Sequence, residues 1–314
     1  MNAARFRFGV NLRGAPSRAA WAEKARRVEA LGYDILNVPD HLADLPAAFP
    51  ALVAAAEATT RLLVGTNVLN NDFRHPVLVA REAATVDQLS GGRLRLGLGA
   101  GSIRSEYEEA GFAFDRGAVR VARLAEAVAI IKGLLGGERV TFAGKFYRIV
   151  DHLIAPLPAQ RPRPPILIGG NGRELLALAA READIVGLSG ITFRRGGAVP
   201  PDLSGWRAAE VDARIALIRR AAGEERFIRL EIEALVQRVI VTDDRRAAAE
   251  ELTVRWPQLS ANEILEAPYI LIGRVDQIIE DLLARRERWR ISSYTVQEPY
   301  MEALAPVVAQ LNGK

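Results

Sequence analysis

The sequence predicts an α/β fold, a (β/α)8 TIM barrel with insertion segments, running as one domain over residues 1–314. Short apolar runs alternate with amphipathic helical stretches along almost the whole chain. Strands alternating with helices imply a parallel sheet with right-handed crossovers. About eight such units fit this length, which suits a closed barrel better than an open doubly wound sheet. No short-period repeat, low-complexity tract or linker divides the chain.

Taken in order, the first strand is Arg7–Leu12. Ser17 then caps a helix that returns Trp21, Val28 and Leu31 on one face and stops at Gly32. Ile35–Val38 is the second strand and ends in Pro39-Asp40-His41. A short helix spans about Pro50 to Thr59, and Leu62–Gly65 opens the third strand. His75-Pro76 starts the third helix, because proline suits the first helical position. That helix ends at Ser90-Gly91-Gly92, and Arg93–Gly99 is the fourth strand. A long helix fills about Arg116 to Leu135.

The beat then breaks. Gly137–Val150 reads as a β-hairpin insertion, with Val140–Phe142 and Phe146–Ile149 flanking Gly144. A proline-rich stretch leads to the buried strand Ile166–Ile168, a helix over Glu174–Arg181, and the strand Ile185–Leu188. The Gly/Pro-rich loop Arg194–Ser204 precedes another helix. The last two strands are Glu231–Thr242 and Ile291–Val296. Trp206, Trp256 and Trp289 fall in helical patterns as packing residues.

Composition narrows the chemistry. Hydrophobic residues make up 49% and charged residues 25%, the balance of a globular protein. There is no cysteine, which excludes disulfides, thiolate nucleophiles and cysteine-ligated metals and suits a reducing cytoplasm. No apolar run is long enough to span a membrane, and the first residues lack a signal-peptide pattern. The net charge of +4 comes mostly from arginines in helix patterns, such as Arg120, Arg123, Arg285 and Arg288. Acidic residues intersperse them, so they read as solvated helix faces and not as a nucleic-acid surface.

Protein-borne chemistries fail one by one. Gly97-x-Gly99-x-Gly101 follows a strand, but the dinucleotide fingerprint needs a further glycine where Ser102 or Arg104 stands. Gly144-Lys145 lacks the upstream glycine of a phosphate-binding loop. Gly187–Gly190 ends in Ile191 and is no nucleophile elbow. His41, His75 and His152 have no metal-ligand spacing, and no lysine falls at a strand end. An imported organic cofactor becomes the economical explanation.

In a parallel barrel the chemistry lies where strands end. Here those ends are Asp40-His41, Thr66–Asn71, Gly99-Ala100-Gly101-Ser102 and Gly169-Gly170-Asn171-Gly172. They offer small residues that let a flat ring approach the backbone, or polar side chains that bond a ring edge.

At these residues the sequence resembles the luciferase-like monooxygenase superfamily. The matching stretches are Ala58–Thr66, Arg74-His75-Pro76, Gln88–Arg93 running into Leu96–Gly101, Glu106–Gly111, Pro165–Gly170, Ala183-Asp184 and Leu271–Asp276. Each is weak alone, but their order and spacing are specific. The tail, with Ile272-Gly273-Arg274-Val275-Asp276 and Arg285-Arg286-Glu287-Arg288, points to the branch using coenzyme F420, an 8-hydroxy-5-deazaflavin.

The resemblance implies a non-proline cis peptide between Asn67 and Val68, pressing the backbone on the middle ring. It implies that Gly99, Ala100 and Gly101 line the ring edge, with Asp40 and Asn70 also at the cofactor. Gly169, Gly170 and Asn171 would give N–H groups to its phosphate at a helix start. Asp40 and His41 would flank the reactive centre, with His41 moving the proton that accompanies hydride transfer. His75 reads as a helix cap, and Asn70 and Asn71 have loop backbone as an alternative partner.

The expected activity is therefore F420-dependent hydride transfer to or from a small organic substrate. An FMN-dependent two-component monooxygenase on the same scaffold is the alternative. A non-catalytic ligand-binding barrel is a third reading, to be recognised by side chains filling the barrel mouth. Related proteins pair through their second and third helices, so a homodimer is expected, with Ala54-Ala55-Ala56 allowing close contact. Specificity is expected in the loops Gly137–Val150, Thr192–Gly205 and Gln258–Pro268.

Overall fold

The computed structural model describes residues 4–193 and 200–314. The first part of the Arg194–Ser204 loop lies outside the described residues. In chain order the elements are β1 (Arg7–Asn11), α1 (Arg18–Ala30), β2 (Ile35–Val38), α2 (Ala48–Ala58), β3 (Leu63–Thr66) and β4 (Leu69–Asn70). Then come α3 (Pro76–Leu89), β5 (Leu94–Gly99), α4 (Arg104–Glu109), α5 (Gly117–Leu135), β6 (Val140–Ala143), β7 (Arg148–His152) and β8 (Ile166–Gly170). The next are α6 (Arg173–Glu182), β9 (Ile185–Leu188), α7 (Ala208–Ala222), α8 (Glu224–Arg229), β10 (Glu231–Val236) and β11 (Arg238–Val241). The last are α9 (Arg245–Arg255), α10 (Ala261–Glu266), β12 (Ile270–Gly273), α11 (Val275–Trp289), β13 (Ile291–Gln297) and α12 (Met301–Leu311).

Eight parallel strands close the expected barrel in the order β3-β2-β1-β13-β10-β9-β8-β5, with β3 pairing back onto β5. Register fixes which side chains face inward, since alternate residues of a strand point to opposite faces. Phe8 and Val10 of β1 are wholly buried in the apolar layer, where Phe8 stacks 6.3 Å from Tyr294. The opposite face of the same strands is polar. Gly9 pairs with Thr295, Asn37 with Gly65, and Gly65 with Arg95. A side chain at Gly65 would begin 2.7 Å from Asn37 Oδ1, so glycine there leaves room for the buried polar groups inside.

Several of those groups bond one another. Arg95 reaches Glu231 at 3.0 Å and Glu233 at 3.4 Å, and Ser293 donates to Glu233 at 3.2 Å. Burial holds the Glu233 carboxyl above the usual carboxylate range, with Arg95 opposing that shift.

Local signals held where they were strong. The Ser17 hydroxyl accepts from Ala20 N–H at 3.2 Å, and His75 Nδ1 accepts from Val77 N–H at 3.3 Å, so His75 caps α3. Ser17→Ala is expected to cost about 1 kcal/mol, read as a small fall in unfolding midpoint with activity unchanged.

Several expectations need correcting. The strand expected over Glu231–Thr242 is two strands, because Gln237 N–H turns away to bond Tyr269 O at 2.8 Å. β10 stays in the barrel, while β11 pairs outside it with β12, a strand not anticipated from sequence. The local mark of the break is Gln237-Arg238, two polar residues between the apolar runs Ala234–Val236 and Val239–Val241. Trp206 lies in a 3-10 turn, Ser204–Trp206, and not in a regular helix; it packs edge-on against Trp256 at 4.9 Å. Arg285 is no solvated-face residue: it is buried and donates to the carbonyls of Ile270 and Leu265. Ala55 and Ala56 are buried in the chain's own core, and Ala54 is half-buried against it. No helix among the described residues is long and apolar enough to cross a membrane.

Candidate active site

The C-terminal mouth of the barrel opens into a cavity of about 510 Å³. That is the size range of small-molecule sites, and side chains do not fill it. All the residues expected at the site line it: Asp40 and His41 after β2; Asn67, Val68 and Asn70 after β3; Gly99, Ala100 and Gly101 after β5; and Gly169, Gly170 and Asn171 after β8. The expected specificity loops fare differently. Among the described residues, Thr192 and Phe193 reach the cavity, whereas neither Gly137–Val150 nor Gln258–Pro268 lines it. The hairpin β6–β7 instead borders a separate hollow through Phe146 and Tyr147.

The peptide between Asn67 and Val68 is cis, as the family resemblance implied. Val68 is thereby set among glycines. A Cβ on Gly99 would lie 2.6 Å from Val68 Cγ2, and one on Gly169 would lie 3.0 Å from Cγ1. Gly101 has φ +75°, and a Cβ there would lie 1.8 Å from the Tyr107 hydroxyl oxygen. β3, β5 and β8 thus build a continuous glycine-floored wall against which a planar group can lie.

Each polar side chain on this wall is held. Asn67 donates from Nδ2 to Glu233 at 2.9 Å, which ties the cis peptide to the polar interior of the barrel. Asn70 Oδ1 accepts from Asp72 N–H at 3.1 Å and lies 2.9 Å from the Tyr107 hydroxyl, so it serves its own loop while bordering the cavity. Burial raises the Tyr107 phenol well above its ordinary range, so it remains a donor. Arg120 of α5 donates to the carbonyls of Ala100 at 3.0 Å and Gly101 at 3.3 Å, and also to that of Asp115.

Asp40 and His41 are neighbours in sequence but differ in employment. The Asp40 carboxylate takes two bonds from Arg74, at 2.6 and 3.0 Å, and one from Asn70 N–H at 3.0 Å. It is buried and fastens the β2 end to the β3 loop. His41 Nδ1 lies 2.8 Å from Glu106 Oε1. Its other ring nitrogen, Nε2, has no side-chain or backbone partner among the described residues. The imidazole is 42% exposed and the Glu106 side chain 11%, so the ring faces the cavity while the carboxylate backs it.

At the β8 end, Gly172 is the N-cap residue of α6, whose first N–H groups have no intrahelical partner. Asn171 Nδ2 donates to Thr192 at 2.8 Å, and its buried Oδ1 has no partner among the described residues. The arrangement offers an anion pocket beside a free acceptor.

Sequence reading missed Glu106, Glu233, Arg120 and Arg74 as site residues. Glu106 sits on a six-residue helix too short to show periodicity, and His41 is 65 positions away. Glu233 did leave a signal: a carboxylate among the apolar residues of a barrel strand.

Comparison with known proteins places the chain in a family. Residues 3–293 match the luciferase-like monooxygenase family. The chain is 32% identical over 240 residues to an F420-dependent glucose-6-phosphate dehydrogenase of Beutenbergia cavernae, covering 74% of this chain and 67% of that one. It is 37% identical over 164 residues to a protein of the same name from Microbacterium testaceum, and the match spans 50% of this chain and 48% of that relative. The chain thus spans about half the length of that second relative. Among solved structures, the coenzyme F420-dependent tetrahydromethanopterin reductase of Methanopyrus kandleri superposes with a TM-score of 0.77 at 18% identity, over 98% of this chain and 99% of that one. That likeness establishes the shared fold. The chain belongs to the luciferase-like monooxygenase family and is an enzyme of the oxidoreductase type.

Proposed function

We propose that the protein is a coenzyme F420-dependent oxidoreductase that moves a hydride between the deazaflavin and a small organic substrate. The observation that carries this reading is the His41–Glu106 pair, 2.8 Å apart, at the mouth that also holds the glycine-floored wall. The named relatives, called F420-dependent, support the choice of cofactor over FMN.

The residues present fit such a cofactor. A side chain at Gly99 would collide with Val68 and one at Gly101 with Tyr107, so the main chain there stays bare at the cavity, and the unpartnered Asn171 Oδ1 suits a hydroxyl of a polyol chain. Val68, Gly99, Ala100 and Gly101 would hold the ring, with Asn67 at its edge. Gly170, Asn171 and the start of α6 would hold the phosphate. When bound, the deazaflavin supplies a carbon that accepts or returns a hydride without needing oxygen.

The protein's own part is the proton. His41 Nε2 takes it from a substrate hydroxyl in the oxidising direction and returns it in the reducing direction. Glu106, nearly buried, orients the imidazole through Nδ1 and stabilises its charged form. Asp40 acts as a positioning residue, since its carboxylate already carries three bonds.

The test is a fluorescence titration of the purified protein with F420 and with FMN. Saturable F420 binding in preference to FMN is expected. Preference for FMN, with oxygen-dependent turnover, would overturn the proposal in favour of the two-component monooxygenase.

A further inference from the structure

A second cavity, of about 490 Å³, lies outside the barrel between α9, α10 and α11. Among the described residues it shares no lining residue with the barrel mouth. Three arginines line it: Arg245 at the start of α9, and Arg285 and Arg288 in the C-terminal half of α11. Arg285 sets the problem. It is 5% exposed and donates to the carbonyls of Leu265 at 3.1 Å and Ile270 at 3.3 Å. Burial works against its charge, yet an arginine in a protein keeps its proton. A buried charge without a counter-ion is costly.

The protein supplies no counter-ion. No carboxylate among the described residues pairs with Arg285, and residues 1–3 and 194–199 contain no Asp or Glu. The carboxylates nearby are engaged elsewhere. Asp281 lines the cavity but pairs with Arg245 at 2.7 Å. Asp212 takes Arg288 at 2.7 Å and the Trp289 indole N–H at 2.6 Å. Glu266 also lines the cavity; it is exposed, and its field reaches Arg288 and not Arg285. Donors are left over as well. The buried Nε of Arg245 and the Nε of Arg285 have no partner among the described residues. Asn262 accepts from Arg246 at 2.5 Å through Oδ1, and its Nδ2 has no partner among them.

We propose that this cavity is an oxyanion site, which takes the carboxylate or phosphate group of a small molecule against Arg285 and Arg245, with Asn262 and Arg288 beside it. Guanidinium groups suit both anions, because their planar forks match two oxygens at once. The anion supplies the counter-charge that Arg285 lacks. Leu265, Ala284 and Trp289 line the same cavity, so the ligand's carbon part has an apolar surface to rest on. The site is separate from the barrel mouth and stands apart from the hydride-transfer reading.

The test is calorimetric titration of the full chain with inorganic phosphate, phenyl phosphate and benzoate at fixed ionic strength. At least one of them is expected to bind, and the tighter class tells phosphate from carboxylate. Two variants then locate the binding. Arg245→Gln should weaken that ligand by about tenfold, since it removes a cation and releases Asp281. Glu266→Gln should tighten it by about threefold, because a repelling charge is lost. Damage to the fold cannot mimic a tightening, and an anion held at the start of α6 would ignore both changes. Parent-like affinity in either variant, or no binding of any of the three below about 10 mM, overturns the proposal.

Discussion

His41→Ala is expected to lower kcat by about 10²–10⁴-fold, the usual contribution of a positioned general acid or base. F420 affinity should stay within about threefold of the parent, since His41 borders the ring wall and does not build it. Glu106→Gln should lower kcat in the same direction, because the amide keeps a hydrogen bond to Nδ1 but withdraws the charge that stabilises the imidazolium. A pair acting as a unit gives non-additive losses, so the double variant should be little worse than His41→Ala alone. Parent-like kcat in either variant would remove the pair from the mechanism.

The second large effect is expected at Gly101. Its φ of +75° disfavours any L side chain, and a Cβ would sit 1.8 Å from the Tyr107 oxygen. Gly101→Ala should therefore cost about 1–3 kcal/mol of stability from the backbone alone. The clash adds displacement of Tyr107, which Asn70 and Asp72 hold by hydrogen bonds. Because that shift moves the floor of the wall, F420 affinity should fall by more than about tenfold. Gly91→Ala is the control. Gly91 shares a positive φ of +68° but has nothing within 4 Å of the added carbon, so it should lose some stability and keep its affinity. Equal affinity losses in both variants would mean that the glycine wall does not bind the cofactor.

Much of the site was legible from sequence because it is written in backbone. Runs such as Gly99-Ala100-Gly101 and Gly169-Gly170-Asn171 announce close approach of the main chain, and their place at strand ends follows from the barrel. The pair proposed to move the proton was half legible. His41 stands at a strand end, but its partner arrives on α4, a helix of six residues with no pattern of its own. Asp40 looked equivalent to His41, and only the position of Arg74 shows that its carboxylate is committed.

The sequence by itself determined the alternation of strands and helices, the glycine turns, the caps at Ser17 and His75, and the family. All of these are local or follow the period of a single element, and short-range sterics and hydrogen bonding enforce them. Only the tertiary structure decided that β10 ends at Val236, that Glu106 backs His41 and that Glu233 holds Asn67 across 166 positions. Barrel closure sets those distances. Charges far apart in the chain meet because strand register turns them toward the same interior, and no local pattern encodes which of them will pair.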